Sequence, residues 1–129
     1  MRYLVMLKVG SESPAQPNPE LMAAIEKLTD ELAQSGRLVE TGGMQGAASS
    51  TTLHLSSGKV TVTDGPFAEG NEVVGGYAIV DVESKEEVIA LGREFLDIHA
   101  RILGPSYVAE SEIRRIYTAL EPGRKGGSQ

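Results

Sequence analysis

Asp64 ends the alternating run Val60-Thr61-Val62-Thr63 and is followed by Gly65-Pro66-Phe67-Ala68-Glu69. A carboxylate at a strand end beside a rigid turn can hold a ligand or move a proton. Asp-Gly is also a turn dipeptide whose carboxylate accepts backbone hydrogen bonds within its own turn, so a structural role for Asp64 stands beside the chemical one. Strand parity bears on the choice. If Ser57 and Gly58 form a two-residue hairpin turn, Asp64 shares a face with Leu53, Leu55, Val60 and Val62. Desolvation there would raise its pKa and suit it to general acid or base work.

Arg114 is the second candidate, because a guanidinium in a cleft holds a carboxylate or a phenolate. It shares a strand face with Glu112 and Ile116, while Ile113, Arg115 and Tyr117 take the other, and Glu112 reads first as a cross-strand ion-pair partner. Phe67, Tyr77 and Met44 could wall a small apolar site, although such side chains serve cores as readily as pockets. The hairpin register puts His54 with Thr52, Thr61 and Thr63, opposite Asp64, so a His54/Asp64 dyad is not expected and His54 reads as an exposed strand residue. His99, next to Ile98 on a helix, reads as a helix-surface residue. Two histidines lack the spacing of a metal site. Neither Gly42-Gly43 nor Gly75-Gly76 opens a helix after a strand, and no Gly-x-Ser-x-Gly elbow is present, so no nucleotide cofactor and no serine hydrolase is expected.

The elements that must position these residues belong to one domain, expected over residues 1–119, with a loose Gly-rich and charged tail at 120–129. Net charge is −6 and the basic residues are scattered apart from Arg114-Arg115 and Arg124-Lys125, so no phosphate-binding patch and no direct nucleic-acid partner is expected. The apolar runs are strand-length, too short to span a membrane, and Met1-Arg2-Tyr3-Leu4-Val5-Met6-Leu7-Lys8 is too short and too alternating for a signal peptide. A cytoplasmic location is the expectation. The absence of cysteine excludes disulfides and thiolate chemistry.

Residues 2 to 9 read as a strand apolar on both faces, with Leu4 and Met6 on one side and Tyr3, Val5, Leu7 and Val9 on the other. Asn18-Pro19-Glu20 is a helix start, and Leu21, Ile25, Leu28 and Leu32 carry the helix to about residue 35, where Gly36 stops it. A strand over 37 to 45 weakens at Gly42-Gly43, where a bulge or bend is expected. Residues 51 to 55 and 59 to 63 flank Ser56-Ser57-Gly58 as a hairpin, and 73 to 82 forms a further strand. Ser84-Lys85-Glu86-Glu87 is a capping box opening a second helix, whose apolar face of Val88, Leu91, Phe95, Ile98 and Ile102 runs to Gly104-Pro105. Residues 111 to 117 are the last strand.

Without the hairpin the order is βαββαβ, a ferredoxin-like α+β fold in which two helices cover one face of an antiparallel sheet. The other face is apolar and uncovered. The expected cover is a second copy of the chain, giving a homodimer.

The string from Val60 to Glu69, together with Val74-Gly75-Gly76-Tyr77 and Glu112-Ile113-Arg114, resembles the YCII-related superfamily, in particular its DGPF-domain branch. The likeness covers nearly the whole chain except the tail. It implies a dimeric α+β barrel, in which two ferredoxin-like sheets face each other and leave clefts between them. Relatives include a dehydrochlorinase acting on a chlorinated hydroxyquinol, and others are fused to or encoded beside sigma-factor genes. The resemblance therefore implies either a small-molecule protein, possessing a cleft near Asp64 for an aromatic or anionic ligand and acting as a proton-transfer enzyme or lyase, or a non-catalytic regulatory or protein-interaction module linked to transcription control. At Gly70-Asn71 the chain departs from the branch's more familiar threonine and lysine, and neither His54 nor His99 matches a motif position.

Overall fold

The computed structural model describes residues 1–10, 18–44, 50–64 and 72–117. Strand β1 (Arg2–Gly10) leads to helix α1 (Pro19–Gln34) and strand β2 (Leu38–Gly43). A hairpin of β3 (Thr51–Ser56) and β4 (Lys59–Asp64) precedes β5 (Glu72–Asp81), helix α2 (Lys85–Leu103) and β6 (Ala109–Ile116). Four strands form one sheet in the order β2-β5-β1-β6, and every neighbouring pair is antiparallel. Leaving out the hairpin, this is the ferredoxin-like βαββαβ arrangement, with β1 and β5 central.

Local chemistry sets the helix ends. The Asn18 side chain accepts from the Leu21 amide at 2.9 Å, and Pro19 occupies the first helical position, where its missing N–H leaves no orphan donor. Past α1 the chain turns at Gly36, whose φ of 78° is readily accepted only by glycine, and the Arg37 amide returns to the Leu32 carbonyl at 3.0 Å. At α2, Ser84 Oγ accepts from the Glu87 amide at 3.1 Å, while Glu87 Oε1 accepts from the Glu83 amide, one residue before the expected reciprocal partner. The other Glu87 oxygen takes Arg37 at 3.3 Å and so ties the start of α2 to the entry of β2.

The core lies between the helices and one sheet face. Tyr3, Val80, Val82 and the fully buried Val88 pack together with Val5, Ala78 and Ile113. Leu28, Leu32 and Ile98 join the two helices above them. Removing these side chains from water is the main force holding helices to sheet. The opposite sheet face, presented by Leu4, Met6 and Ile79, carries no helix among the described residues and leaves those side chains half-buried.

The hairpin turns at Ser57 and Gly58, with φ of 54° and 76°, as a two-residue connection with both central residues left-handed requires. Its strands pair with each other and not with the four-stranded sheet. Opposite residues are Thr51 and Asp64, Leu53 and Val62, and Leu55 and Val60, so these six side chains share a face. His54 pairs with Thr61 on the other.

Two expectations are corrected. The irregularity of β2 falls between Leu38 and Glu40, not at Gly42-Gly43, which pair normally with Tyr77 and Gly76. His99 is buried, only 4% exposed, rather than on the helix surface. Its Nδ1 meets the Phe95 carbonyl at 2.9 Å and its ring lies between those of Phe95 and Tyr107. Position 99 is one helical turn beyond Phe95, so it falls on the same stripe. The tail, residues 120–129, lies outside the described residues.

Candidate functional site

The open sheet face is the place where chemistry-bearing side chains converge. Alternation along β1 puts Leu4, Met6 and Lys8 on this face, and the register brings Tyr77 opposite Met6 and Ile79 opposite Leu4. From the other side, β6 brings Glu112 opposite Met6 and Arg114 opposite Leu4. Tyr77 and Glu112 are thus two strand spacings apart, about 10 Å, with Met6 between them.

Tyr77 is held by a glycine and a bulge. A Cβ on Gly42 would come within 3.0 Å of Tyr77 Cε1 and 3.3 Å of its hydroxyl, so the ring lies along β2 in space that only glycine leaves. The extra residue at Val39 changes the parity of β2. Leu38 enters the helix-side core, whereas Glu40, two residues on, pairs with Ile79 and points to the open face. There the Tyr77 hydroxyl donates a hydrogen bond to Glu40 Oε2. That bond, followed by desolvation and the carboxylate's charge, raises the phenol above its ordinary pKa, since its loss of a proton would set two anions side by side. Tyr77 is therefore a proton-bearing donor, and Glu40 is its acceptor.

Across Met6, Glu112 accepts from Lys8 Nζ at 3.2 Å and from Arg114 Nε. The Arg114 bond, then the Lys8 bond, holds the Glu112 carboxyl below its ordinary pKa against the opposing effect of burial. This is the cross-strand ion pairing expected of Glu112. Arg114 nonetheless keeps 69% of its side chain exposed, and its terminal nitrogens, unlike Nε, have no partner among the described residues. They are donors of the kind that can pair with an anion.

The remaining candidates lie elsewhere. Asp64 is exposed at the end of β4, accepts from Thr51 Oγ1 at 3.0 Å, and has no hydrogen bond or ion pair to Arg114. Met44 is exposed just past β2, where its amide donates to the Gly75 carbonyl at 3.0 Å. Phe67, whose backbone N–H is the one that could cap Asp64 since residue 66 is proline, lies outside the described residues. His54 is exposed on the hairpin. Among the described residues no cluster of three or more His, Asp or Glu side chains is arranged to hold a metal, and no helix is long and apolar enough to cross a membrane. Of the residues singled out in the sequence, the sheet brings Tyr77 and Arg114 to one face. Sequence reasoning missed Glu40 and Lys8; Lys8 was open to it, since it continues the Leu4, Met6 alternation.

A family model for the YCII-related domain matches residues 1–95, from β1 into α2. The chain belongs to that family. Arg114 and Glu112 lie beyond the matched span. An uncharacterised protein of Rhizobium meliloti (strain 1021) is 26% identical over 86 residues, covering 67% of this chain and 69% of the relative.

Proposed function

We propose that this YCII-related chain binds a small aromatic acid or phenol on the open face of its sheet, in a cleft that a second copy closes, and moves a proton on it. The observation that carries this reading is the placement of the Tyr77–Glu40 pair and Arg114 on either side of the apolar floor formed by Leu4 and Met6. Arg114 would hold the ligand's anionic group, the floor its ring, and Glu40 or Tyr77 a hydroxyl at the far end. Asp64 would supply a second carboxylate; its exposure and its sole described partner, Thr51, support that use. The short Asp-Gly-Pro-Phe motif supports the finer placement in the DGPF branch. A non-catalytic interaction module is the second reading, favoured by the exposed β3–β4 hairpin.

Calorimetric titration with a panel of hydroxybenzoates tests the first reading. Binding is expected for the chain, weakened at least tenfold in Arg114→Ala and in Tyr77→Phe, because a charge-assisted and a neutral hydrogen bond are removed in turn. Asp64→Asn keeps shape and turn propensity and should abolish turnover while leaving folding intact. Binding that survives both open-face substitutions would overturn the site, and no binding across the panel would favour the second reading.

A further inference from the structure

The β3–β4 hairpin is built for burial that the described residues of its own chain do not supply. Along both strands, polar and apolar residues alternate, with Thr52, His54, Thr61 and Thr63 on one face and Leu53, Leu55, Val60 and Val62 on the other. Such alternation marks a ribbon with one wet and one dry side. Yet Leu53, Leu55, Val60 and Val62 are 66, 71, 59 and 63% exposed, and every other residue of the two strands except Thr52 is exposed as well. A two-stranded ribbon alone is marginal in water, and four aliphatic side chains together on a surface mark a contact.

The chain's own remaining segments are poor candidates for the cover. Outside the described residues the only large apolar side chains are Phe67 and Leu120. A second copy offers what is needed, because its open sheet face presents the half-buried aliphatic residues Leu4, Met6 and Ile79. In a two-fold pair each copy gives one arm and one seat, so both uncovered faces of each chain are satisfied together. Each arm carries on the order of 250 Å² of exposed aliphatic surface, and two arms with two seats bury about 1,000 Å², where specific interfaces begin.

We infer that the hairpin is an arm that lays Leu53, Leu55, Val60 and Val62 over the open sheet face of a second copy, resting on the Leu4–Met6 floor when the cleft is empty and roofing a ligand bound there. Thr51 and Asp64 share that face of the arm, so the Asp64 carboxylate is turned toward the partner's cleft. This inference rests on the paired reading above and adds the arm and its seat to it.

Sedimentation of the full chain and of a Leu55→Glu, Val60→Glu variant tests the arm. Both positions are exposed in the single chain, so charge there leaves the monomer's fold unchanged, which circular dichroism checks. Self-association should weaken at least about tenfold, since charge opposes burial of the arm's apolar tip. The chain has no cysteine, so engineered thiols report contacts cleanly. A mixture of Val62→Cys or Leu53→Cys chains with Met6→Cys or Leu4→Cys chains should give arm-to-sheet disulfides between different chains. A dimer unaffected by the two glutamates, or one giving only arm-to-arm disulfides, would overturn the arm and leave the dimer standing. A chain that sediments at 13.7 kDa at every concentration would overturn both.

Discussion

Tyr77 and Glu40 act as one chemical unit, and their coupling is measurable. The raised phenol pKa means that the folded chain holds this proton more tightly than the unfolded chain does, first through the Glu40 hydrogen bond. The associated stability is fully present below the ordinary tyrosine pKa and is lost as pH rises through the folded value. In Glu40→Gln the carboxylate charge is gone, so the Tyr77 titration, followed by ring-carbon NMR, should move down toward that of an ordinary tyrosine. An unmoved titration would show that burial alone sets it. Glu112 has the opposite sign: its lowered pKa gives stability that is present above the unfolded carboxyl value and lost as pH falls through the folded one. Denaturant midpoints measured from about pH 7 to about pH 3 should therefore fall less steeply in Glu112→Gln than in the parent chain. Equal slopes would mean that other carboxylates carry the acid sensitivity. Arg114 was legible as a candidate because a guanidinium announces hydrogen-bonding chemistry, whereas Tyr77 was legible only as an apolar wall and its hydroxyl's partner was not. Glu40 was not, because its face depends on one extra residue at Val39 that no glycine or proline marks.

At the scale of elements, local chemistry decides where helices start and strands turn. Ser84→Ala removes the acceptor of the Glu87 amide, 3.1 Å away, and should cost about 1 kcal/mol, read as a lower urea midpoint with the slope unchanged. An unchanged midpoint would show that the Glu87 bond to Glu83 and its ion pair with Arg37 hold the helix start without the serine. Such caps are readable in a sequence because acceptor and donor sit three residues apart. The hairpin was readable for the same reason, its turn and register following from Ser57-Gly58. Features set by contacts between distant segments were harder to place. Gly42 looked like a point of weakness in β2, but it is the floor beneath the Tyr77 ring, supplied by a strand more than thirty residues away. His99 looked polar and exposed until Tyr107, arriving after α2, is stacked against it. There desolvation raises the Tyr107 phenol, as expected for a hydroxyl drawn into the same apolar corner.

For the whole molecule, two helices can cover only one face of a four-stranded sheet, and the sequence alternation along β1 serves both faces. Tyr3 and Val5 meet the helices, whereas Leu4 and Met6 floor the open side. A face that is apolar at its centre and carries Lys8, Glu112 and Arg114 along one side resembles a contact surface with a polar rim more than a surface meant for bulk water. If a second copy covers it, part of the folding free energy is free energy of association, and stability becomes linked to chain concentration by mass action. The thermal midpoint should then rise by about 3 °C for each tenfold increase in concentration, given the unfolding entropy of a pair of chains this size. The same rise should shrink when Met6 is replaced by Lys, because a charge at the centre of the floor opposes burial while the helix-side core built on Tyr3 and Val80 is left intact. A midpoint independent of concentration in the parent chain would mean that the open face is stable in water on its own. The proposed cleft would then have to be formed by one chain, with Arg114 and the Tyr77–Glu40 pair facing solvent directly.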